Sequence, residues 1–258
     1  MQNQFRPEIL LTNDDGFKSP LLVSLATALS SVANVHVVAP ETEQSGVSHA
    51  FKGFLGHELR RVPGEYPFDF YSLSGAPADC TKMGLRNIFR DRRIDCVFSG
   101  PNAGENAGVS SLYSGTVAGA REAALWDVPG VALSLFDGNS PKMLAELCRF
   151  AIRIVSERLY ENVSRRTIWN VNFPREDLPF CGYRVARQNL SMFTDRYEER
   201  DGKYFLEGKK LPEHFIGNSD DDLLSRGFAT VTPITIDQTA HGELLPVERA
   251  LGNLFAEC

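Results

Sequence analysis

The stretch Ile9-Leu10-Leu11-Thr12-Asn13-Asp14-Asp15-Gly16-Phe17 (ILLTNDDGF) joins a short, continuously apolar run to two adjacent carboxylates and a glycine. A run this short and without polar alternation reads as a strand covered on both faces, as in a parallel sheet. Two neighbouring aspartates repel, and each raises the cost of ionising the other. Water, a basic side chain or a cation has to offset that repulsion.

Outward from this strand the same kind of run recurs at Val35–Ala39, Tyr71–Ser74, Cys96–Ser99, Val131–Leu135 and Ile168–Phe173. Helical patterns lie between them. In SPLLVSLATALSSVA, Ser19 is placed to cap, Pro20 to start the first turn, and Leu22, Leu25, Ala26 and Leu29 form one stripe. SPKMLAELCRFAIRIVSERLY repeats the arrangement with Ser140, Pro141, Leu144, Leu147, Cys148, Ala151 and Val155, and TVAGAREAALW is a shorter helix with Val117, Ala120 and Ala124 on one side. Alternation of strand and helix predicts an α/β fold, a mostly parallel, doubly wound sheet flanked by helices.

After about Pro174 the character changes. The segment RQNLSMFTDRYEERDGKYFLEGKKL is polar and aromatic, and Asp201-Gly202 is a hairpin-turn signal. GNSDDDLLSRGFATVTPITIDQTAH reads as a loop followed by a strand of β-branched residues. The expected organisation is an α/β core over residues 1–174 and a C-terminal extension over 175–258 with a projecting hairpin and a final strand. The hairpin either packs on a neighbouring subunit or lies solvated on the surface.

The 258 residues are 43% hydrophobic, enough for a large core, with a formal charge of −6. That charge argues against a stable nucleic-acid complex, which needs a basic face. No run approaches the roughly 18 to 20 apolar residues of a membrane span, and the start, MQNQFRPEILLTNDDG, lacks the build of a signal peptide. The five cysteines (Cys80, Cys96, Cys148, Cys181, Cys258) are scattered and form no CxxC, so they read as reduced thiols. A cytoplasmic protein with no membrane partner is expected.

Ligands of an open parallel sheet collect beyond the carboxyl ends of its strands. Three loops leave such ends: Asn13-Asp14-Asp15-Gly16, ETEQSGVSHAF after the second strand, and GPNAGENAGVSSLYSGTVAG after DCVFS. A divalent cation would neutralise Asp14 and Asp15, with Ser45 and Asn102 as neutral oxygen donors, a set suited to magnesium, manganese or calcium rather than zinc. The other reading has one aspartate capping a helix and its neighbour solvated. Ser114-Gly115-Thr116 opens a helix, where free N–H groups favour an anion such as phosphate; an ordinary cap with a glycine for packing fits as well. Gly100, Gly104 and Gly108 match neither the dinucleotide fingerprint nor a P-loop. A cation site and an anion site on one crevice point to phosphate-ester chemistry.

Four blocks, ILLTNDDGF, VVAPETEQSGVSHAF, SGAPADCTKMGL and SGPNAGENAGVSSLYSGTVAGAREAAL, resemble in that order the SurE family of metal-dependent 5′/3′-nucleotidases. More loosely, DRYEERDGKYFLEGKK and GFATVTPITID look like the family's hairpin and final strand. The resemblance implies a Rossmann-like core, subunits that exchange their C-terminal regions into homodimers or homotetramers, and hydrolysis of nucleoside monophosphates, in some members also of polyphosphate. It implies one divalent ion per subunit, magnesium or manganese, with Asp14, Asp15, Ser45 and Asn102 at the ligand positions. Asn106, Ser114, Gly115 and Thr116 match the positions around the phosphate. Asp14 and Asp15 are thereby the catalytic pair, anchoring the cation and placing a water in line with phosphorus. An aspartyl-phosphate on Asp14 is the variant mechanism, and no histidine offers itself as general acid. The chain departs from the family at Ser48-His49, where asparagine is common, and at Pro101, where an aliphatic residue is usual. Two other functions are weighed: a nucleotide-dependent oxidoreductase, for which TNDDGFKSP lacks the glycine fingerprint, and a nucleotide-binding Rossmann-like protein that retains the site without turnover.

Overall fold

Alternation along the strands fixes the layers. In β1 (Glu8–Thr12), Ile9 and Leu11 face one helical layer and Leu10 faces the other. The computed structural model describes residues 6–138 and 140–251, so Cys258 lies outside the described residues. The further strands are β2 (Asn34–Pro40), β3 (Leu59–Arg61), β4 (Asp69–Leu73), β5 (Cys96–Ala103), β6 (Gly130–Leu135), β7 (Thr167–Phe173), β8 (Tyr183–Val185), β9 (Arg196–Arg200), β10 (Lys203–Glu207) and β11 (Ala229–Thr235). The helices are α1 (Pro20–Leu29), α2 (Pro77–Met83), α3 (Ser110–Tyr113), α4 (Gly115–Leu125), α5 (Pro141–Ser156), α6 (Asp220–Ser225) and α7 (Leu244–Leu251).

The main sheet has nine strands in the order β3-β4-β2-β1-β5-β6-β7-β11-β8. From β4 to β7 all neighbours are parallel, as the apolar runs predict. The chain winds from β1 through β2 to β4, then crosses back to β5 on the other side of β1. The crevice between the carboxyl ends of β1 and β5 is therefore the topological switch point. Leu22, Leu25 and Leu29 of α1 pack with Met143, Leu147 and Ala151 of α5 on one face, while Cys80 of α2 and Ala123 of α4 cover Leu10 and Val97 on the other.

The caps follow the sequence. Pro20 and Pro141 begin α1 and α5, and Ser140 Oγ accepts from Met143 N at 3.0 Å; Ser19 occupies the cap position of α1 without a side-chain bond. On α5 the buried stripe is rotated from the expected one. Met143 and Ile154 are fully buried, whereas Leu144 and Cys148 are only partly so.

Beyond residue 174 the chain does not leave the sheet. β11 runs antiparallel to β7, and β8 runs parallel to β11. Only β9 and β10 form a second, two-stranded sheet, joined by Asp201 and Gly202 at φ +52° and +71°, the primed turn that Asp-Gly predicts. GNSDDDLLS is not the expected loop. It forms α6, with Ser219 Oγ accepting from Asp222 N and acidic residues in the first turn, where they complement the helix dipole.

α6 also clamps the long loop after β5. Asp220, fully buried, accepts from Gly108 N at 2.8 Å through Oδ2, and from Asn189 N at 2.8 Å and Asp221 N at 2.9 Å through Oδ1. Lys210 Nζ, drawn in from the foot of the hairpin, donates to Asp221 Oδ1 at 2.8 Å, Ala107 O at 2.9 Å and Glu105 Oε1 at 3.0 Å. Gln188 Nε2 adds a bond to Gly108 O at 2.9 Å. Asp220→Ala strips three backbone donors of their acceptor and should cost on the order of 3 kcal/mol in urea denaturation. Asp220→Asn, which turns an amide N–H₂ toward one donor, should cost about half as much. A loss below about 0.5 kcal/mol for both, the range of neutral surface changes, means that the clamp carries no stability.

Candidate active site

At the end of β1 the chain turns sharply at Gly16, whose φ of +93° suits glycine, while Asn13 Nδ2 donates to Gly16 O at 3.0 Å. The turn leaves Asp14 buried and Asp15 half-buried. Asp14 meets the start of α4: Oδ2 accepts from Thr116 N at 3.1 Å, and Oδ1 accepts from the Thr116 hydroxyl. Gly115 makes this approach possible, because a Cβ there would lie 3.0 Å from Asp14 Cβ and 3.1 Å from Gln44 O. The Asp14 carbonyl in turn accepts from Gln44 N at 2.7 Å, which holds the loop after β2 against the same corner.

Asn102 is brought round by an irregularity in β5. The pairing with β6 shifts register between Ser99 and Asn102, across a cis Gly100-Pro101 bond. Gly100 has φ +123°, and a Cβ there would sit 2.2 Å from Leu133 O. Pro101 falls inside this interruption, where a residue without an N–H is accommodated. Asn102 Nδ2 donates to Gly104 O at 2.8 Å, which leaves its side-chain oxygen as an acceptor. Asn106 is held on three sides: its N donates to Asn172 Oδ1 at 2.7 Å, its Nδ2 to Ser134 Oγ at 2.9 Å, and its carbonyl accepts from Asn170 Nδ2 at 2.8 Å.

These elements enclose a cavity of about 270 Å³ lined by Asp14, Ser45, Asn102, Asn106, Tyr113 and Ser114, among others. Ser45, on the exposed loop, donates its hydroxyl to Glu43 Oε1 at 2.7 Å and keeps lone pairs to offer. Asp15, Gly115 and Thr116 do not line this cavity; Gly115 and Thr116 instead seat Asp14. The amino end of α4 is also less open to an anion than its sequence suggests. Thr116 N is engaged by Asp14, and Val117 N donates to Ser114 Oγ at 3.0 Å.

The carboxylates are short of positive charge. Burial raises the pKa of Asp14 against the pull of its Thr116 bonds. Burial, then the charge of Asp14, push Asp15 up to about 6. Among the described residues no salt bridge reaches either of them. Nor do three His, Cys, Asp or Glu side chains gather as a metal cage among the described residues. Asp14, Ser45 and Asn102 thus bring a carboxylate, a hydroxyl and an amide oxygen to one cavity, with Asp15 next in the chain, and oxygen donors of this kind suit a hard divalent ion.

Other polar groups prove to be structural. His49 pairs with Glu122 at 3.0 Å, and Glu122, buried in α4, also accepts from Trp126 Nε1 at 2.9 Å and meets Lys82 Nζ at 3.2 Å. The residues that sequence reasoning missed are Phe193, Gln188, Lys210, Asp220 and Asp221, all from the extension. For α6 a signal existed, Ser219 followed by three acidic residues and two leucines, which is a helix start. For the others none did, since their partners lie far away in the chain.

Comparison with known proteins places the chain among described relatives. The family model described as "Survival protein SurE" matches residues 9–195. A 5'-nucleotidase SurE of Fervidobacterium nodosum is 36% identical over 255 residues, covering 95% of this chain and 97% of the relative. One from Cytophaga hutchinsonii is 34% identical over 244 residues, covering 92% and 93%. The crystal structure of a SurE protein from Aquifex aeolicus superimposes with a TM-score of 0.81 at 31% identity, covering 95% of this chain and 99% of that one. On these matches the chain belongs to the SurE family.

Proposed function

We propose that this chain is a divalent-metal-dependent phosphomonoesterase that releases phosphate from nucleoside 5′- or 3′-monophosphates. The observation that carries the reading is the Asp14–Asp15 pair, set without a basic partner at the switch point of the sheet. The names of the relatives, 5'-nucleotidases, support the substrate class. Asp14, Asp15, Ser45 and Asn102 would hold a magnesium or manganese ion. When bound, such an ion supplies Lewis-acid charge against a phosphoryl oxygen and lowers the pKa of a coordinated water.

The chain's own groups do the rest. Asp14 is fixed by Thr116, so it need not reorganise when the ester binds. Asn106 and Ser114 also line the cavity, where they can orient the phosphoryl group. Asp15, next in the chain to Asp14, would help hold the ion and place the attacking water in line with phosphorus. The four described cysteines are free thiols, which supports a reducing compartment such as the cytoplasm. Self-association through the extension is supported by the β9–β10 ribbon, which exposes Tyr197, Tyr204 and Leu206; a two-stranded ribbon is marginal on its own in water.

Three measurements test the reading. Purified protein with manganese or magnesium should release phosphate from a nucleoside monophosphate. EDTA should abolish the release, and Asp15→Asn should lower kcat/KM at least a hundredfold, about 2.7 kcal/mol of transition-state stabilisation; full activity after thorough chelation defeats the proposal. Manganese affinity, read by calorimetry, should be steady above pH 7 and weaken as pH falls through about 6. Asp15 takes up its proton there, and protons compete with metal for the ionised form. Leu206→Asp should shift the protein to smaller species in light scattering if the ribbon sits in a subunit interface.

A further inference from the structure

A second, larger cavity of about 480 Å³ adjoins the catalytic one, and Phe193 lines both. Its apolar wall is completed by Phe136, Leu178, Phe215 and Leu224. Phe136 is the first residue beyond β6, so this cavity too opens on the ligand-bearing edge of the sheet. The volume is within the range of small-molecule sites, roughly 300–1,000 Å³.

The wall shared by the cavities is anchored. Phe193 bridges to Lys210 in antiparallel fashion, and Lys210 Nζ lies 5.3 Å from the ring centroid. That ammonium is itself held by Glu105, Ala107 and Asp221. Glu105 lines the larger cavity and its neighbour Asn106 lines the smaller, so one peptide links the two. Glu105 Oε1 is fixed by Lys210 at 3.0 Å, and among the described residues its Oε2 has no hydrogen-bond partner.

Phe193, which lines both cavities, would meet the alcohol portion of a phosphomonoester whose phosphate sat in the 270 Å³ cavity. We infer that the larger cavity receives the nucleoside portion of the substrate, with the base against the Phe193, Phe215 and Phe136 wall and a ribose hydroxyl donating to Glu105. A base offers flat apolar faces with polar edges, and aromatic walls take such faces with little regard to sequence. The inference rests on the phosphomonoesterase reading, and it makes the extension part of the substrate site.

The experiment compares two substrates and one unreactive ligand. For native protein, Phe215→Ala and Phe136→Ala, kcat/KM is measured for adenosine monophosphate and for glycerol 2-phosphate, and the Kd of adenosine by calorimetry. Phe136 is 40% exposed, which limits the folding cost of its truncation. Phe215→Leu keeps apolar bulk but loses the flat ring. The ratio of the two kcat/KM values should fall about tenfold in the alanine variants, and the Kd of adenosine should rise by about the same factor, with Phe215→Leu intermediate. An unchanged ratio, an equal fall for both substrates, or native protein that does not bind adenosine at millimolar concentration each overturns the inference. Native protein that binds adenosine but hydrolyses neither ester overturns the phosphomonoesterase reading instead, and leaves the nucleoside site standing on the Kd shift.

Discussion

The contact between Asp14 and the start of α4 is the constraint around which the site is arranged. A carboxylate at the end of a central strand is taken up by the amide and hydroxyl of Thr116, across 102 positions of chain. The positive end of the helix favours the anion, and Gly115 removes the side chain that would keep the two apart. Once this joint is made, the loop after β2 is drawn in through Gln44, and the loop after β5 has to bend round the same corner. The catalytic cavity is what these three loops leave between them.

The joint bears on the capping reading of the acidic pair. Asp14 does serve a helix end, but the helix is α4, far away in sequence, not the α1 that follows it. Its bonds to Thr116 ease only part of the cost of burying the charge, and they do nothing for Asp15. Asp14 is thus seated by Thr116, while Asp15 stays half-buried with its pKa raised by burial and by the charge of Asp14.

The sheet was legible because its strands are covered on both faces and so are apolar without interruption. β1, β2, β5, β6 and β7 each lie within a residue or two of the expected starts, though β5 runs on through Pro101 to Ala103 and β4 begins at Asp69, two residues earlier than its apolar run suggests. Five of the site residues read from sequence, Asp14, Ser45, Asn102, Asn106 and Ser114, share one cavity, because motif blocks fall at strand ends and strand ends in such sheets converge. What could not be read was pairing at long range. Nothing local to Asp220 says that it accepts from Gly108, 112 residues earlier, and Lys210 in GKK looks like any solvated lysine until it is found buried among two carboxylates and a carbonyl. The triplet Asp220-Asp221-Asp222 misled for a related reason: acidic residues mark loops and first helical turns alike, and the choice depends on the Ser219 cap and on Leu223 and Leu224 finding a core.

Those long-range bonds bear on how the loop after β5 can function at all. It carries Asn102, Asn106 and Ser114 over a stretch rich in glycine, which by itself would order only at considerable entropic cost. It is held at two places by unrelated means, the far end by Asp14 at Thr116 and the middle by Asp220, Gln188 and Lys210 from the extension. Asn170 and Asn172 of β7 hold Asn106, just before the middle fastening. Polar groups that act together on one ligand need positions good to a fraction of an ångström, and a glycine-rich loop reaches that precision only by being fastened from outside. The extension is therefore not an appendage to a finished enzyme core. Without it the sheet would end at β7, losing β11 and β8, and the loop after β5 would lose the bonds that fasten its middle.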